Sequence, residues 1–183
     1  MNAVNFDAVM LRMLAGAEDK RLLLHACCAP CASYCLTQTA PRTRVTAFFY
    51  NPNLDSAEEY EKRLHELRRL TEATKQADVL DTGYRHEDFA AAAAGFEDAP
   101  EGGARCERCF RLRLFETARM AKSGGFDLFA TTLTVSPLKN AALINRIGSE
   151  AAEAFGVEYH PTDFKKRGGY LQSGELSRQY GLY

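Results

Sequence analysis

Residues Arg21 to Cys31 read Arg-Leu-Leu-Leu-His-Ala-Cys-Cys-Ala-Pro-Cys, and this stretch decides the fold class. Arg21–Ala26 is a brief apolar run that stops at the first cysteine, as a buried strand does. Cys27, Cys28 and Cys31 follow at once. Because ligands of an open parallel sheet gather beyond the carboxyl ends of its strands, we expect these cysteines to lie at a functional edge of the sheet.

A second group, Cys106-Glu107-Arg108-Cys109, lies past the middle of the chain. Helical spacing runs from Cys106 to Lys122, so the pair begins a predicted helix, where positions i and i+3 share a side. A helix N-terminus lowers thiolate pKa values and favours the negative charge of a metal–sulfur centre. The sixth cysteine, Cys35, is predicted to lie one helical turn past Cys31 as a packed residue.

The two cysteine groups together predict one thiolate-rich metal site. An iron–sulfur cluster needs about four thiolates, and the groups supply more than that. The surplus cysteine could act as an acid or bind a second metal. A four-cysteine zinc site is the alternative. A thioredoxin-like redox pair is less favoured, because it needs neither the Cys27-Cys28 doublet nor two separate groups.

Strand patterns and helix patterns alternate along the chain. The predicted strands are Arg21–Ala26, Val45–Tyr50, Ala77–Asp81 and Phe126–Leu133. The predicted helices are Phe6–Leu14, Ser56–Gln76, Cys106–Lys122 and Asn140–Phe155, with a further helix-forming run at Ala90–Ala94. This alternation predicts an α/β fold with a parallel sheet flanked by helices. We expect one catalytic domain over residues 1–183, with a short leading helix within 4–18 and a polar tail from about Thr162.

The composition is that of an ordinary globular domain. The 183 residues are 46% hydrophobic and 26% charged, with a formal net charge of -1. Such a balance gives no global attraction to nucleic acid, so a nucleic-acid partner needs a local basic patch. The N-terminus lacks the features of a signal peptide, and no apolar stretch approaches the ~20 residues of a membrane span. We therefore predict a cytoplasmic protein with no membrane partner, where clustered cysteines bind metal or do redox work.

Polar side chains at the ends of the predicted strands are candidates for catalysis and binding. His25 could donate a proton or hydrogen-bond a thiolate, although a buried structural histidine explains it equally well. Tyr50-Asn51-Pro52-Asn53 could contact a ligand or simply cap a turn. Tyr60 and Arg63 lie on a solvated helix face unless that helix borders the pocket.

Two further segments carry hydroxyl or cationic groups. Thr132, Ser136 and Lys139 could hold phosphate or ribose, although ordinary helix capping accounts for about half of the polar groups in the segment Thr131–Lys139. Lys165, Lys166 and Arg167 form the best basic patch for a nucleic-acid backbone. A run of three charges is otherwise solvated surface.

These motifs together resemble the QueH type of epoxyqueuosine reductase. The resemblance runs from Leu22 to Tyr183 and is most specific in the cysteine doublet followed by the second pair. The resembling stretches are His25–Cys31, Tyr50–Asn53, Glu59-Tyr60 with Arg63, Gly102–Leu112, Thr117-Ala118, Thr131–Leu133, Ser136-Pro137 with Lys139, and Asp163–Lys166 with Gly168.

The resemblance implies a fold, a reaction and a cofactor. The fold is adenine-nucleotide hydrolase-like (HUP-like). The reaction is the two-electron reduction of the epoxide of epoxyqueuosine in tRNA, with loss of water, giving queuosine without cobalamin. The cofactor is a [4Fe–4S] cluster with a further mononuclear iron nearby. An external low-potential donor supplies the electrons to the cluster. Relatives commonly continue past the Tyr-Gly-Leu-Tyr stretch, here Tyr180–Tyr183, into a Cys-Gly-Cys motif, and the position of Cys31 can be aspartate.

On this basis the candidate residues take roles. The predicted metal ligands are Cys27, Cys28, Cys31, Cys106 and Cys109. The predicted catalytic residues are His25, Tyr50 and Asn51. The predicted substrate-binding residues are Asn53, Tyr60, Arg63, Thr132, Ser136, Lys139, Lys165, Lys166 and Arg167.

Two other functions remain as alternatives. A cluster-dependent tRNA thiolation enzyme needs a Gly-rich loop after its first strand to hold pyrophosphate. Cys27–Cys31 contains no glycine, which weighs against that enzyme. A zinc-stabilised RNA-binding module fits the cysteines and the basic patch, and it predicts a colourless protein where the reductase should be brown.

Overall fold

The computed structural model of the chain describes residues 4–183, so the first three positions of the predicted domain lie outside the described residues. Five parallel strands form one sheet in the order β3-β2-β1-β4-β5. The strands are β1 (Arg21–His25), β2 (Arg44–Phe49), β3 (Ala77–Asp81), β4 (Leu128–Thr131) and β5 (Glu158–Tyr159). The helices are α1 (Phe6–Ala15), α2 (Ala29–Thr39), α3 (Ala57–Thr74), α4 (His86–Ala93), α5 (Ala104–Ser123), α6 (Ala141–Phe155) and α7 (Gly169–Gln179). The α/β prediction with a parallel sheet is confirmed.

The central strand β1 is apolar on both sides because helices cover both faces of the sheet. Leu22 and Leu24 belong to a core formed with α1, α2 and α3. Leu23 belongs to a second core on the other face, formed with α5 and α6. His25 shares the side of Leu23, since alternate side chains of a strand point to the same face.

The strand order reverses between β1 and β4, and this reversal places the candidate site. His25, the last residue of β1, lies opposite Thr131, the last residue of β4. A crevice forms outside the carboxyl ends of two such strands because their connections run in opposite directions. The first cysteine group follows β1 directly at this crevice.

Most predicted elements occur within a few residues of their predicted ends, and two regions differ. The predicted strand Phe126–Leu133 ends early, because a 3₁₀ turn at Thr132–Val135 starts where the Thr131 hydroxyl accepts a hydrogen bond from the Leu133 amide. The second region is the polar tail from Thr162, for which the sequence pattern indicated no helix. It forms α7, from which Leu176 packs against the first core, followed by Tyr180 and Leu182.

In residues 4–183, no helix combines the length and the apolar character that a membrane crossing requires.

Candidate metal centre

Three thiols meet where β1 passes into α2. The sulfur atoms of Cys27, Cys28 and Cys31 all lie within 4.8 Å of one another. Cys28 is the N-cap of α2, and its sulfur accepts a hydrogen bond from the Cys31 amide at 3.4 Å. Pro30 lies in the first turn of the helix, where a missing amide hydrogen costs nothing. The helix start therefore holds the three sulfur atoms on a rigid element, and the group could bind a metal.

Of the three grouped thiols, Cys27 has the lowest pKa and is the first to lose its proton. Hydrogen bonds from the thiols of Cys28 and Cys31 lower the pKa of Cys27 well below its ordinary value, with Lys139 and Thr132 adding to the effect. The same interaction, with burial, raises the pKa of Cys28 to about 12 and raises that of Cys31 well above its ordinary value. A bound cation would replace the two remaining protons, since metal ligands must be deprotonated.

Thr132 holds Cys27 from the neighbouring strand end. Its hydroxyl oxygen accepts a hydrogen bond from the Cys27 amide at 3.1 Å, and the hydroxyl lies 3.4 Å from the Cys27 sulfur as its donor. The Thr132 side chain is fully buried. Thr132 therefore orients a cysteine, and its predicted substrate contact stays a prediction that its burial opposes.

His25 is fully buried beneath the cysteine loop with both ring nitrogens engaged. Nε2 lies 3.1 Å from the Tyr50 carbonyl oxygen and Nδ1 lies 3.0 Å from the Thr131 hydroxyl. A carbonyl can only accept, so Nε2 carries the proton and Nδ1 accepts from Thr131. Burial, followed by the nearby Arg113, lowers the pKa of His25 to about 3. The ring is neutral at pH 7, which weighs against its predicted role as proton donor.

Asn51 joins the two halves of the site, whereas Tyr50 faces elsewhere. The Asn51 amide donates to the carbonyl of Ala26, just before Cys27, at 2.9 Å. Its oxygen accepts from Nη1 of Arg113, in α5, at 3.3 Å. The Tyr50 hydroxyl instead donates to Asp88 of α4 at 2.8 Å. The catalytic roles of Tyr50 and Asn51 stay predictions.

The second cysteine pair lies in the first two turns of α5, as predicted. The Cys106 sulfur accepts a hydrogen bond from the Gly102 amide at 3.3 Å, and Cys109 is buried. Among the described residues, neither sulfur belongs to the group that lies within 4.8 Å. The structure therefore brings three of the five predicted ligands together, and a shared site with Cys106 and Cys109 stays a prediction. Cys27 and Cys106 nevertheless both contact the apolar cluster around Phe110 and Leu133.

Cys106 and Cys109 line a cavity of about 470 Å³, a size that suits a small-molecule ligand. Five residues from the predicted site line it: Asn53, Cys106, Cys109, Ser136 and Lys139. The remaining lining residues are Asp55, Phe89, Glu101, Gly102, Arg105, Phe110, Arg113, Leu138, Asn140 and Leu143. Lys139 connects the cavity to the three thiols, because it also lowers the pKa of Cys27.

Tyr60 and Arg63 do not line this cavity. Tyr60 is completely buried, and its hydroxyl donates to the Phe49 carbonyl at 3.0 Å, so the predicted solvated face is wrong for this residue. Arg63 pairs with Glu59 at 2.6 Å. Substrate binding by either residue stays a prediction.

The predicted basic patch at residues 165–167 is partly neutralised by its own chain. Lys165 pairs with Asp163 and Arg167 pairs with Asp7, each at 3.1 Å. Arg167 also reaches Gln38 near the end of α2, away from the cysteines. Lys166 is exposed. The three side chains therefore do not form one concentrated positive surface.

Arg113 is a buried cation of the cavity wall that was not among the predicted site residues. Its signal was available, since Arg113 follows Cys106 and Cys109 by seven and four residues and so shares their face of a helix. The buried residues of α5 include both Cys109 and Arg113. A cation at a buried helical position indicates a special environment, because an arginine is almost never fully buried unless it is paired.

A family model described as "Epoxyqueuosine reductase QueH" matches residues 22–183. The chain belongs to the QueH family. This result confirms the family that the motifs indicated, and the matched range includes both cysteine groups and every predicted site residue.

Curated QueH relatives cover nearly the whole chain. A protein named epoxyqueuosine reductase QueH from Streptococcus pyogenes serotype M1 is 36% identical over 191 residues, covering 98% of this chain and 74% of the relative. The namesake from Staphylococcus epidermidis is 33% identical, covering 98% of this chain and 80% of the relative. The Thermotoga maritima protein of the same name is 34% identical, with 88% and 84% covered.

Proposed function

We propose that this chain is an epoxyqueuosine reductase that converts epoxyqueuosine in tRNA to queuosine with a thiolate-bound [4Fe–4S] cluster. The observation that carries the proposal is the group of three thiols at the strand-order reversal, in a chain of the QueH family. A tRNA substrate also supports the predicted cytoplasmic location.

The residues present fit an iron–sulfur centre. Thiolates are the ligands that such clusters take from proteins. Cys27, Cys28 and Cys31 would supply three of them, and Cys106 or Cys109 on α5 would supply a fourth. The thiol left over is available to a further iron. Arg113 and Lys139 make no ion pair with a carboxylate within residues 4–183, so their charge can balance the negative charge of a thiolate-rich centre.

The reaction defines what the protein must provide. Removing an epoxide oxygen as water, to leave a carbon–carbon double bond, consumes two electrons and two protons. When bound, the cluster supplies the electrons one at a time, drawn from an external low-potential donor. The chain itself must bind the modified base, shield it from bulk water and supply protons at the departing oxygen.

The cavity supplies these functions in the proposal. Asn53 and Ser136 offer polar groups to the substrate, and the Asn53 side-chain oxygen is buried without a hydrogen-bond partner in the described chain. Lys139 is the cation of the cavity wall that also acts on Cys27. We assign it the delivery of a proton to the epoxide oxygen, since both ring nitrogens of His25 are engaged.

The geometry of α2 weighs against the thiolation alternative. A pyrophosphate cradle uses free backbone amides at a helix N-terminus after a glycine-rich loop. Here the Cys31 amide already donates a hydrogen bond to the Cys28 sulfur, so it is not free to bind a phosphate, and the loop has no glycine. Identifying the bound metal distinguishes the zinc-stabilised RNA-binding module from the reductase.

Metal content and activity test the proposal together. Protein purified without oxygen should be brown and hold roughly four iron and four sulfide per chain, with one further iron where the second site is filled. It should convert epoxyqueuosine in tRNA to queuosine with a low-potential reductant and no cobalamin or ATP. Cys27→Ser should lose the colour, and the buried Cys35→Ser serves as the matched control that keeps it. Colourless, zinc-loaded protein, or turnover that requires ATP, would rule the proposal out.

A further inference from the structure

Arg113 is a cation in an unusual place. Its side chain is 4% exposed, and it lies in the wall of the cavity that Cys106 and Cys109 share. A guanidinium taken out of water at such depth needs an anion or several hydrogen bonds to offset the cost of desolvation.

The described residues provide little compensation for this charge. Nη1 donates to the neutral side chain of Asn51, and Nε is buried with no hydrogen-bond partner in residues 4–183. The ring of Phe110 lies 5.9 Å away, at the limit of a cation–π contact. Other arginines of α5 are satisfied: Arg111 pairs with Glu150 and Arg119 with Glu116. Arg113 is thus a buried cation that lacks a carboxylate.

The same side chain connects the two cysteine groups. Arg113 follows Cys109 by one helical turn, and its partner Asn51 donates to the carbonyl of Ala26, the residue before Cys27. A continuous path of two hydrogen bonds therefore runs from the helix of the second pair to the loop of the first.

We propose that Arg113 is a positioning residue that fixes the two cysteine groups relative to each other through Asn51 and places an uncompensated positive charge beside the thiolate centre. The inference rests on the proposed function. A nearby cation stabilises the more negative, reduced state of an iron–sulfur centre, so Arg113 raises its reduction potential. The partners that orient metal ligands also raise metal affinity.

Variants of Arg113 separate the charge from the hydrogen bond. Arg113→Gln removes the charge, Arg113→Lys keeps it, and Arg119→Gln on the exposed side of α5 is the control. The readouts are iron and sulfide per chain, iron retention against a chelator, and the midpoint potential of the reconstituted centre. We expect Arg113→Gln to lose about 10- to 100-fold in metal affinity and to shift the potential of the remaining centre to more negative values. Arg113→Lys should restore the potential.

A second variant covers the case in which Arg113→Gln does not fold. Asn51→Asp places a carboxylate against the guanidinium and removes the donor to the Ala26 carbonyl, so it should shift the potential to more negative values and weaken metal binding. Wild-type affinity and potential in Arg113→Gln, or in Asn51→Asp, would overturn the inference. So would an effect of Arg113→Gln confined to KM for tRNA, which would indicate a phosphate contact. Wild-type protein that binds no iron and sulfide would instead overturn the proposed function along with it.

Discussion

At the scale of single residues, His25 is defined by its hydrogen-bond partners more than by its position beside the cysteines. The Tyr50 carbonyl fixes the proton on Nε2, and the Thr131 hydroxyl fills Nδ1. The ring ties the ends of β1, β2 and β4 together directly below the cysteine loop. We infer that its contribution is to hold that loop.

We predict that His25→Ala destabilises the protein by about 2–4 kcal/mol, because it leaves a buried carbonyl and hydroxyl unsatisfied and opens a cavity. Urea unfolding measures the loss, and iron retention should fall with it. His65→Ala, at an exposed histidine of α3, is the control and should leave both unchanged. An unchanged free energy of unfolding with full iron content and slow turnover would make His25 the proton donor after all.

Some residues of the site could be predicted from their spacing in the sequence, and others could not. Cysteine groups are visible because their spacing is unusual for packed residues. The tautomer of His25 and the lack of a carboxylate partner for Arg113 could not be predicted, because each depends on residues that the fold brings from other strands and helices. Asn51 could be placed at a strand end, yet its two partners are 25 and 62 residues away.

At the scale of elements, α7 depends on a close approach to α2. A Cβ on Gly169 would lie 1.8 Å from the Phe164 carbonyl oxygen and 2.4 Å from the Tyr34 ring. Backbone and a buried ring cannot both move aside, so only glycine fits there. This contact fixes the start of a helix that crosses the first core.

We predict that Gly169→Ala costs about 2–4 kcal/mol through overpacking. Limited proteolysis should show earlier cleavage within α7, and thermal unfolding should report the loss of stability. The matched control is Gly174→Ala in the same helix, where the nearest atom to the added Cβ is the end of Arg178 at 3.9 Å. That change should stabilise by up to about 1 kcal/mol, because alanine is the better helix former. Equal stability of the two variants would contradict the packing argument.

Elements with a strong period were predictable, and short or weakly patterned ones were not. The Ser56 cap and the leucine spacing of α3 predicted its start within one residue. Strand β5 has only two residues, too few for alternation to show. The polar surface of α7 concealed its packing, because only a few of its residues, such as the buried Ser173, face the molecule.

At the scale of the whole molecule, stability carries an acid-sensitive contribution away from the cysteines. His160, which follows β5, is 1% exposed, and neither ring nitrogen has a hydrogen-bond partner in the part of the chain that the structure describes. Burial lowers its pKa to about 4, and the charge of Lys20 adds to the effect. The native protein therefore keeps this histidine neutral where the unfolded chain would protonate it.

The sign of the pH effect follows from that difference. Below the ordinary histidine value near 6.5 the unfolded state binds a proton that the folded state refuses, so stability falls as the pH is lowered towards 4. The loss reaches about 3 kcal/mol at pH 4. His160→Gln should remove it, which denaturant unfolding across this range would show as a flatter pH dependence. His65→Gln should retain the wild-type slope, and a wild-type slope in His160→Gln would contradict the prediction.

The sheet topology was predictable as a class but not in its order. Alternating strands and helices indicate parallel pairing, and the cysteines mark the carboxyl edge. Nothing in the local pattern states that β4 returns beside β1, which is the pairing that brings Thr132 to Cys27. Long-range pairing of this kind decides which polar residues share the site.

The apolar cores on both faces of the sheet have a consequence for how the folded chain survives the loss of a bound metal. Leu22, Leu23, Phe48 and Phe129 are fully buried, whereas the three grouped thiols are only partly buried and lie beyond the strand ends. Loss of a metal bound at these thiols would therefore leave the buried core in place. The same folded chain could then bind metal again at these thiols, without being synthesised anew.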